Sequence, residues 1–463
     1  MMSDNVDLSG GLTTSGKRPS VRAPAKLSER FLFVVFSALI VPPLLILQAW
    51  KTSSERYRHW LLTVFITVYG STIGIAYDPL GQGPDGVRHL LRMYTHYLDL
   101  EFFDFSRELF EILLFQRGTS PHADVYAHVL SYLVGGVMGM PTLFFPVVAF
   151  VYGYFFSGSL IRIFRGLRGA QLPVLVLFIF FNFFLMKNLE GVNTVRTWTG
   201  LWVLVYACLH YHETGKSRYL ILMAAPPFIH FGYFIMAIPA YVVVLLGVRT
   251  TLFSVLFVIS SFTTFVNPGS FTEVISQTEL GEQRVRAYQR DNVAGTATII
   301  AQSSAANHRI WRVLQRAGVQ KWALNIFAYT LLIAGIYRLS MTVFEQRILS
   351  IGLLTLALSN SIWFLYAVSN RSWVVGAIFV FAAFALMRIR VGRGFRAPLS
   401  ASLYRFGLLS SAVLFIPFVA YNLSALLDFP SVFLLVMPFV VWLQPEINMT
   451  FKEGLQFILM IRR

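Results

Sequence analysis

The sequence predicts an all-α, polytopic membrane protein with about 11 to 13 transmembrane helices. Three observations lead there. Of 463 residues, 56% are hydrophobic and only 13% charged, with a mean hydropathy of +0.63. A soluble domain of this length needs more charge to cover its surface. Apolar runs repeatedly approach the roughly 20 residues that carry a helix across a bilayer. The 38 Lys and Arg outnumber the 22 Asp and Glu, for a net charge of +16, which matches loops facing anionic headgroups or lipid phosphates. Fold classes built on a water-facing surface are excluded. No basic stretch has the spacing of a nucleic-acid motif, so nucleic acid is not an expected partner.

In chain order, residues 1–30 ("MMSDNVDLSGGLTTSGKRPSVRAPAKLSER") read as a disordered cytoplasmic tail. They do not read as a signal peptide, whose charged start would meet its apolar stretch sooner. Residues 31–463 read as one membrane domain. Its apolar segments fall near 31–49, 60–77, 123–138, 142–163, 172–186, 197–210, 219–247, 251–266, 322–337, 348–368, 373–387, 402–421 and 431–443. The 219–247 segment holds Pro226 and Pro227, which remove two backbone donors, so a broken or re-entrant helix is expected. Pro42 and Pro43 weaken the first segment in the same way. Arg162, Arg165 and Arg168 mark one cytoplasmic loop; Arg388, Arg390, Arg393 and Arg396 mark another. Counting from the first puts 187–196 outside, and counting back from the second puts 267–321 outside too, provided 219–247 is a hairpin. Strict counting puts 78–122 inside, in conflict with its functional residues, unless a short segment nearby fails to span. The long loops 78–122 and 267–321 each carry an expected amphipathic helix, "LEFFDFSRELFEILLF" (100–115) in the first and 271–292 in the second. The single cysteine, Cys208, lies in an apolar run and reads as a packed core residue, with no disulfide or cysteine-based metal site.

Four places could carry chemistry. In "YDPLGQGPDGVRHLLRMYTHY" (77–97), Gly83 and Pro84 suit a helix start. Arg88, His89 and Arg92 then follow Asp85 at i+3, i+4 and i+7, on one face. That face reads as an anionic-headgroup site with an acid–base group, or as a solvated helix with an i,i+3 salt bridge. In "EGVNTVRTWTG" (190–200), Gly191 and Asn193 are cap candidates, which would place Arg196 in the first turn of a membrane helix. Backbone N–H groups, the helix dipole and a guanidinium would converge there as in phosphate sites; the other reading is an arginine snorkelling to headgroups. His230 follows the proline break inside an apolar segment. Ionisable groups there are costly and point to function, or to a histidine bonded to a freed carbonyl. Arg284, Arg286, Tyr288 and Arg290 in the second loop could grip a diphosphate or a sugar, or form a solvated charge run. His122, Asp124 and Asp78 are weaker candidates.

In this order, the motifs resemble the EpsG-like branch of the Wzy-type polysaccharide polymerases (O-antigen, capsule or exopolysaccharide). "GPD" with Asp85 matches an early outer-loop element, with His89 where tyrosine is usual. "NTVR" (193–196) matches an N-x-x-R element opening a membrane helix, with Thr197 in place of a frequent glutamine. "IHFGYF" supplies His230, with Phe231 before the small residue Gly232. The resemblance covers residues 60–250. It implies a transferase at the outer face of the bacterial inner membrane, moving a growing glycan from one polyprenyl diphosphate carrier onto the sugar of another. It also implies the architecture of lipid-dependent (GT-C type) membrane glycosyltransferases. Expected partners are the polyprenyl-diphosphate-linked oligosaccharide donor and acceptor, membrane lipids, a chain-length regulator and a flippase.

A diphosphate leaving group needs fixed cations, which Arg196, Arg88 and Arg284 could supply. An acceptor hydroxyl needs a base, for which Asp85 stands first and His230 second. Arg92, Asn193, Arg286 and Tyr288 complete the substrate-binding set. No metal cluster is evident and no cofactor is expected. Alternatives are a transferase using a polyprenyl monophosphate sugar, a glycan ligase, or a transporter of lipid-linked glycans.

Overall fold

The computed structural model describes residues 27–73, 85–116, 120–122, 124–263, 319–334, 340–392, 401–428, 430–444 and 447–461, with 273, 277 and 336. Residues 1–26 of the expected tail, Asp78, Gly83, Pro84, Arg284, Arg286, Tyr288, Arg290, Arg393 and Arg396 lie outside the described residues, whereas residues 27–30, expected as disordered tail, open the first helix. Among the described residues the regular structure is helix; extended backbone pairs only in the isolated bridges Ile73–Pro430 and Ser431–Thr450.

The helices are α1 Leu27–Ile40, α2 Pro43–Lys51, α3 Glu55–Ser71, α4 Asp85–Arg92, α5 Phe102–Leu113, α6 Val125–Ser131, α7 Phe144–Ile163, α8 Val174–Met186 and α9 Thr197–Thr214. Next come four short pieces, α10 Ser217–Met223, α11 Pro226–Ile229, α12 Tyr233–Met236 and α13 Ile238–Leu246. They are the broken segment that Pro226 and Pro227 predict. The rest are α14 Thr250–Ser260, α15 Val319–Ile333, α16 Val343–Ser361, α17 Tyr366–Val391, α18 Ala401–Asp428, α19 Phe439–Leu443 and α20 Phe451–Ile461. Among the described residues, four stretches are long and apolar enough to cross a membrane: Pro141–Gly169, Val174–Val192, Ala367–Val391 and Ala401–Val419.

Helices of this composition gain little from hydrophobic burial when surrounded by lipid, so close backbone approach and polar rungs hold them together. On α3, Gly70 lies against α7, where an added Cβ would come within 2.2 Å of the Ala149 Cβ and 2.7 Å of the Phe145 carbonyl oxygen. The α3 and α7 pair is rung by Thr63 Oγ1 and Ser157 Oγ at 3.2 Å. Along α16, Gly352 and Gly376 of α17 bring two backbones together in the same way. Thr250–Ser350 at 3.0 Å and Asn360–Ser260 at 3.2 Å join α14 to α16 in parallel, ten residues apart on each helix.

Charge marks two ends. At one, Arg162 pairs with Glu213, and Arg165 reaches Glu55 at 2.6 Å. The start of α3 and the ends of α7 and α9 therefore meet there. At the other, Phe144 at the start of α7 lies against His89, and Arg196 at the start of α9 pairs with Asp124. The stretch 85–140 is gathered at this second end. After α6 the chain makes wide helical turns to Val137, reverses at Gly139 (φ +61°), and enters α7 through Pro141. The apolar segment 123–138 therefore does not run from one end to the other.

The helix expected within 100–115 is α5. It presents Phe102, Phe103, Phe110 and Leu114 outward, Phe103 being 82% exposed, and buries Glu108 against the body. Glu108 Oε2 lies 3.0 Å from His96 Nε2. Glu108 is thus packed inward, while Asp104 and Arg107 pair with each other on the exposed side at 2.7 Å.

Replacing Gly70 by valine places a side chain where α7 backbone already stands, and overpacking of this kind costs about 1–3 kcal/mol. Gly70→Val should lower the thermal midpoint of the purified protein in detergent, whereas Gly139→Ala, at a position with no heavy atom near the added Cβ, should lower it mainly through its positive φ. Equal midpoints for wild type and Gly70→Val would exclude the close α3–α7 crossing.

Candidate functional site

Asp124 precedes α6, and its side chain is 1% exposed. A carboxylate this deep must be matched by donors. Its Oδ2 takes the Arg196 NH1 and its Oδ1 accepts the Phe231 N–H at 2.8 Å. One carboxylate so joins the first long loop, the start of α9 and the break in the 219–247 segment. It stood among the weaker candidates in the sequence; here it organises the cluster.

The turn before α9 differs from expectation. Its helix begins at Thr197, not near Asn193, so Arg196 is the N-cap residue and not part of the first turn. Residues Leu189–Val192 form a single 3-10 turn, and Val195 takes a positive φ of 53°. A buried β-branched residue in that region is strained. Tyr152 of α7 supports the turn from beneath: its hydroxyl donates to the Asn188 carbonyl at 2.6 Å and accepts from Trp202 Nε1 at 3.0 Å. Asn193 does not cap its own helix. Its Oδ1 accepts the Gly86 N–H at 3.0 Å, satisfying a first-turn donor of α4 across 107 residues of sequence.

On α4, the four chosen residues do not share one environment. Asp85 and Arg88 are ion-paired at 2.8 Å and stand 45% and 56% exposed. His89 turns inward, is buried, and stacks on His122 with ring centroids 5.2 Å apart. Among the described residues its Nδ1 has no hydrogen-bond partner. Arg92 is half-buried and sends NH1 to His122 Nδ1 at 3.3 Å. That bond fixes the His122 tautomer, because guanidinium only donates: Nδ1 accepts, and Nε2–H donates to Ser131 Oγ at 3.3 Å.

The charges of Arg196, Arg92 and Arg88 all act on His89, against Asp124 alone. Burial first, then these guanidinia, hold His89 well below the ordinary imidazole range. His122 is held down by burial, then by His89 and Arg92. Arg92 is itself lowered by burial, then by Arg196 and Arg88. Of the three guanidinia, Arg88 and Arg196 are paired with Asp85 and Asp124, and Arg92 meets the His122 ring, so the cluster keeps an excess of positive charge that an anion would offset.

His230 is buried at the break, in extended conformation, with Nδ1 accepting the Gly232 N–H at 3.0 Å. Its Nε2 lies 2.9 Å from NH1 of Arg371, on α17. Sequence reasoning missed Arg371. The available signal was an arginine two residues before the apolar run 373–387. The structure thus brings Asp85, Arg88, His89, Arg92, Asn193, Arg196 and His230 to one end of the helices and adds Asp124, His122 and Arg371. Arg284, Arg286 and Tyr288 are outside the described residues.

Fold and site together define an all-α protein of the membrane class with a cationic, histidine-bearing cluster at one end of its long helices. No family model, no curated protein and no solved structure matches the chain.

Since His89 and His122 are neutral when folded, unfolding lets them take up protons once pH falls below about 6.5, the unfolded value. Their contribution to stability is complete above that pH and shrinks as pH falls toward their depressed folded values. The thermal midpoint in detergent should drop between about pH 7.5 and pH 5.5, and His89→Phe should reduce the drop. An equal acid-induced drop in wild type and His89→Phe would show that His89 does not titrate on unfolding.

Proposed function

We propose that the protein is a multi-pass glycosyltransferase of the bacterial inner membrane that polymerises polyprenyl-diphosphate-linked oligosaccharide units at the outer face. Its about 11 to 13 crossings would follow the architecture of lipid-dependent membrane glycosyltransferases. The observation that carries this reading is the crowding of Arg88, Arg92 and Arg196 around the neutral His89, beside an exposed carboxylate, Asp85. A diphosphate leaving group needs the first feature and a sugar acceptor needs the second.

In the proposed reaction, Asp85 accepts the proton of the acceptor hydroxyl as its oxygen bonds to the anomeric carbon of the donor glycan. The bond from that carbon to the diphosphate oxygen breaks, and the electron pair leaves with the diphosphate. Arg88 now paired to Asp85 would turn to the leaving group, joined by Arg92 and Arg196. His89 offers the diphosphate a neutral ring; its unpartnered Nδ1 is one of the two nitrogens that could carry a donated hydrogen. Asn193 steadies the start of α4, and so Asp85, through the Gly86 N–H. His230 is the second candidate base, and Arg284, Arg286 and Tyr288 are proposed to contact substrate from the second loop.

The test is chain growth on purified lipid-linked repeat units. Asp85→Asn should abolish it at normal expression and folding. Arg196→Lys should lose most activity, because lysine offers a point charge where a planar fork spans both Asp124 and phosphate. Loss of a fixed donor to a developing anion costs about a hundred- to thousandfold in rate. Normal chain lengths from Asp85→Asn would remove it as the base. Unchanged lipids moved between leaflets by the wild type would replace this reading with a transporter.

A further inference from the structure

The end of the helices opposite Asp124 holds another histidine among guanidinia. His210 lies near the end of α9, half-buried, with Tyr206 one turn before it. Its ring meets Tyr206 at 4.2 Å between centroids and stacks on Tyr219 of α10 at 4.8 Å. Gly158 of α7 lets the Tyr206 ring in, since an added Cβ would stand 2.6 Å from Tyr206 Cε2. The charges of Arg162, Arg165 and Arg218 all act on the His210 ring. Among the described residues neither of its ring nitrogens has a hydrogen-bond partner. Unlike the buried His89, this ring is open to contact from outside.

The charges around it do not balance. Glu213 pairs with Arg162 and stands 3.5 Å from Arg165, and Glu55 lies 2.6 Å from Arg165. Arg218, exposed on α10, has no carboxylate partner among the described residues. Its NH2 reaches the Tyr219 hydroxyl at 2.9 Å, and its guanidinium lies 4.7 Å from the centre of that ring. Three guanidinia so share two carboxylates, and the hydroxyl engages only part of what the third can donate. An aromatic path leads away from them along α3 and α7. Tyr206 lies 6.0 Å from Tyr154, Tyr154 lies 6.3 Å from Trp60, and Trp60 lies 6.4 Å from Phe150. Trp60 and Phe150 are 45% and 41% exposed. Phe150 belongs to Pro141–Gly169, a stretch apolar enough to cross a membrane, so the path runs from a charged end onto a face suited to lipid chains.

We propose that Arg218, His210 and Tyr219 form a phosphate site for an anionic phospholipid of the leaflet that meets this end, with its chains along Trp60 and Phe150. A headgroup phosphate gives Arg218 the anion that its neighbours do not supply. A neutral imidazole adds one N–H to a phosphate oxygen. Arg218 and His210 both meet the Tyr219 ring, which holds them together where α10 leaves α9. Aromatic rings suit such a place, because one side is apolar and the other wet. A zwitterionic lipid brings a cation of its own and gains less from the surplus positive charge. The site lies at the far end from the proposed transfer chemistry and stands whether or not the chain extends glycans.

Lipid retention tests it. Full-length protein in neutral detergent is titrated with phosphatidylglycerol or phosphatidylcholine, and bound lipid is counted by native mass spectrometry. Wild type should retain phosphatidylglycerol over phosphatidylcholine. Arg218→Gln should weaken that retention at least about tenfold, the loss of one charge-assisted contact. His210→Phe keeps a ring against Tyr219, removes both nitrogens, and should weaken it as well. Arg168→Gln, at a guanidinium that lies over Trp50 at 4.7 Å instead, should retain lipid as wild type does. Wild-type retention in folded Arg218→Gln overturns the site, and His210→Phe decides in the same way where Arg218→Gln fails to fold. Wild-type retention in His210→Phe alone removes His210 from the site. A loss in Arg168→Gln as large as in Arg218→Gln shows attraction by charge in general and also overturns it. Equal retention of the two lipids by wild type overturns the lipid assignment. Inorganic phosphate that then binds in dependence on Arg218 assigns the site to a free phosphate, and no such binding removes the site altogether.

Discussion

The carboxylate of Asp124 is the contact on which the functional end of this protein depends. A charge that deep in an apolar protein is tolerated only when donors surround it. Asp124 meets the condition with a guanidinium from the start of α9 and a backbone N–H from the broken segment. Each donor is thereby fixed in turn. Removing the carboxylate would leave Arg196 half-buried without its partner and the Phe231 N–H unbonded. Such losses cost more than the pair contributes, because the stranded groups remain out of water.

The strained turn at Val195 follows from the same constraint. A positive φ at a β-branched residue costs about 1–3 kcal/mol and persists only where surroundings over-determine it. Here Tyr152 and Trp202 fix the turn from below, Asn193 ties it to Gly86, and Asp124 holds Arg196 beyond it. The turn lets α9 start late, so that Arg196 sits at the helix end. A cation there faces the positive end of the dipole, and the nearby carboxylate offsets that cost.

α9 also links the two ends of the molecule. Its 18 residues span about 27 Å at 1.5 Å each. Arg196 precedes them, and Glu213 near the other end takes Arg162. The Arg162–Glu213 pair ties one end of α9 to α7 and Arg196 ties the other to Asp124 before α6, while the helix between is packed by side chains such as Trp202, whose ring meets Phe156. The polar cluster can therefore be rigid although much of the surrounding surface is apolar and weakly held. α5 adds to this by turning Glu108 inward to His96 and leaving its aromatic rings for lipid.

By itself the sequence determined the helical, apolar character of the chain, the break at Pro226 and Pro227, the helix in 100–115, and the set of motifs around Asp85, Arg196 and His230. These are local properties: composition, period, missing N–H groups and clustered polar residues. It misjudged where α9 begins, because a strained turn held by Tyr152 overrides the capping preference of Asn193. It also gave Asp124 little weight and passed over Arg371. Only tertiary structure decided that Asp124 meets Arg196 across 72 residues and that Arg371 meets His230 across 141. No periodicity connects residues so far apart. Which charges pair is set by the packing of α4, α6, α9 and α17 at one end, where burial leaves each polar group only a few neighbours to choose from.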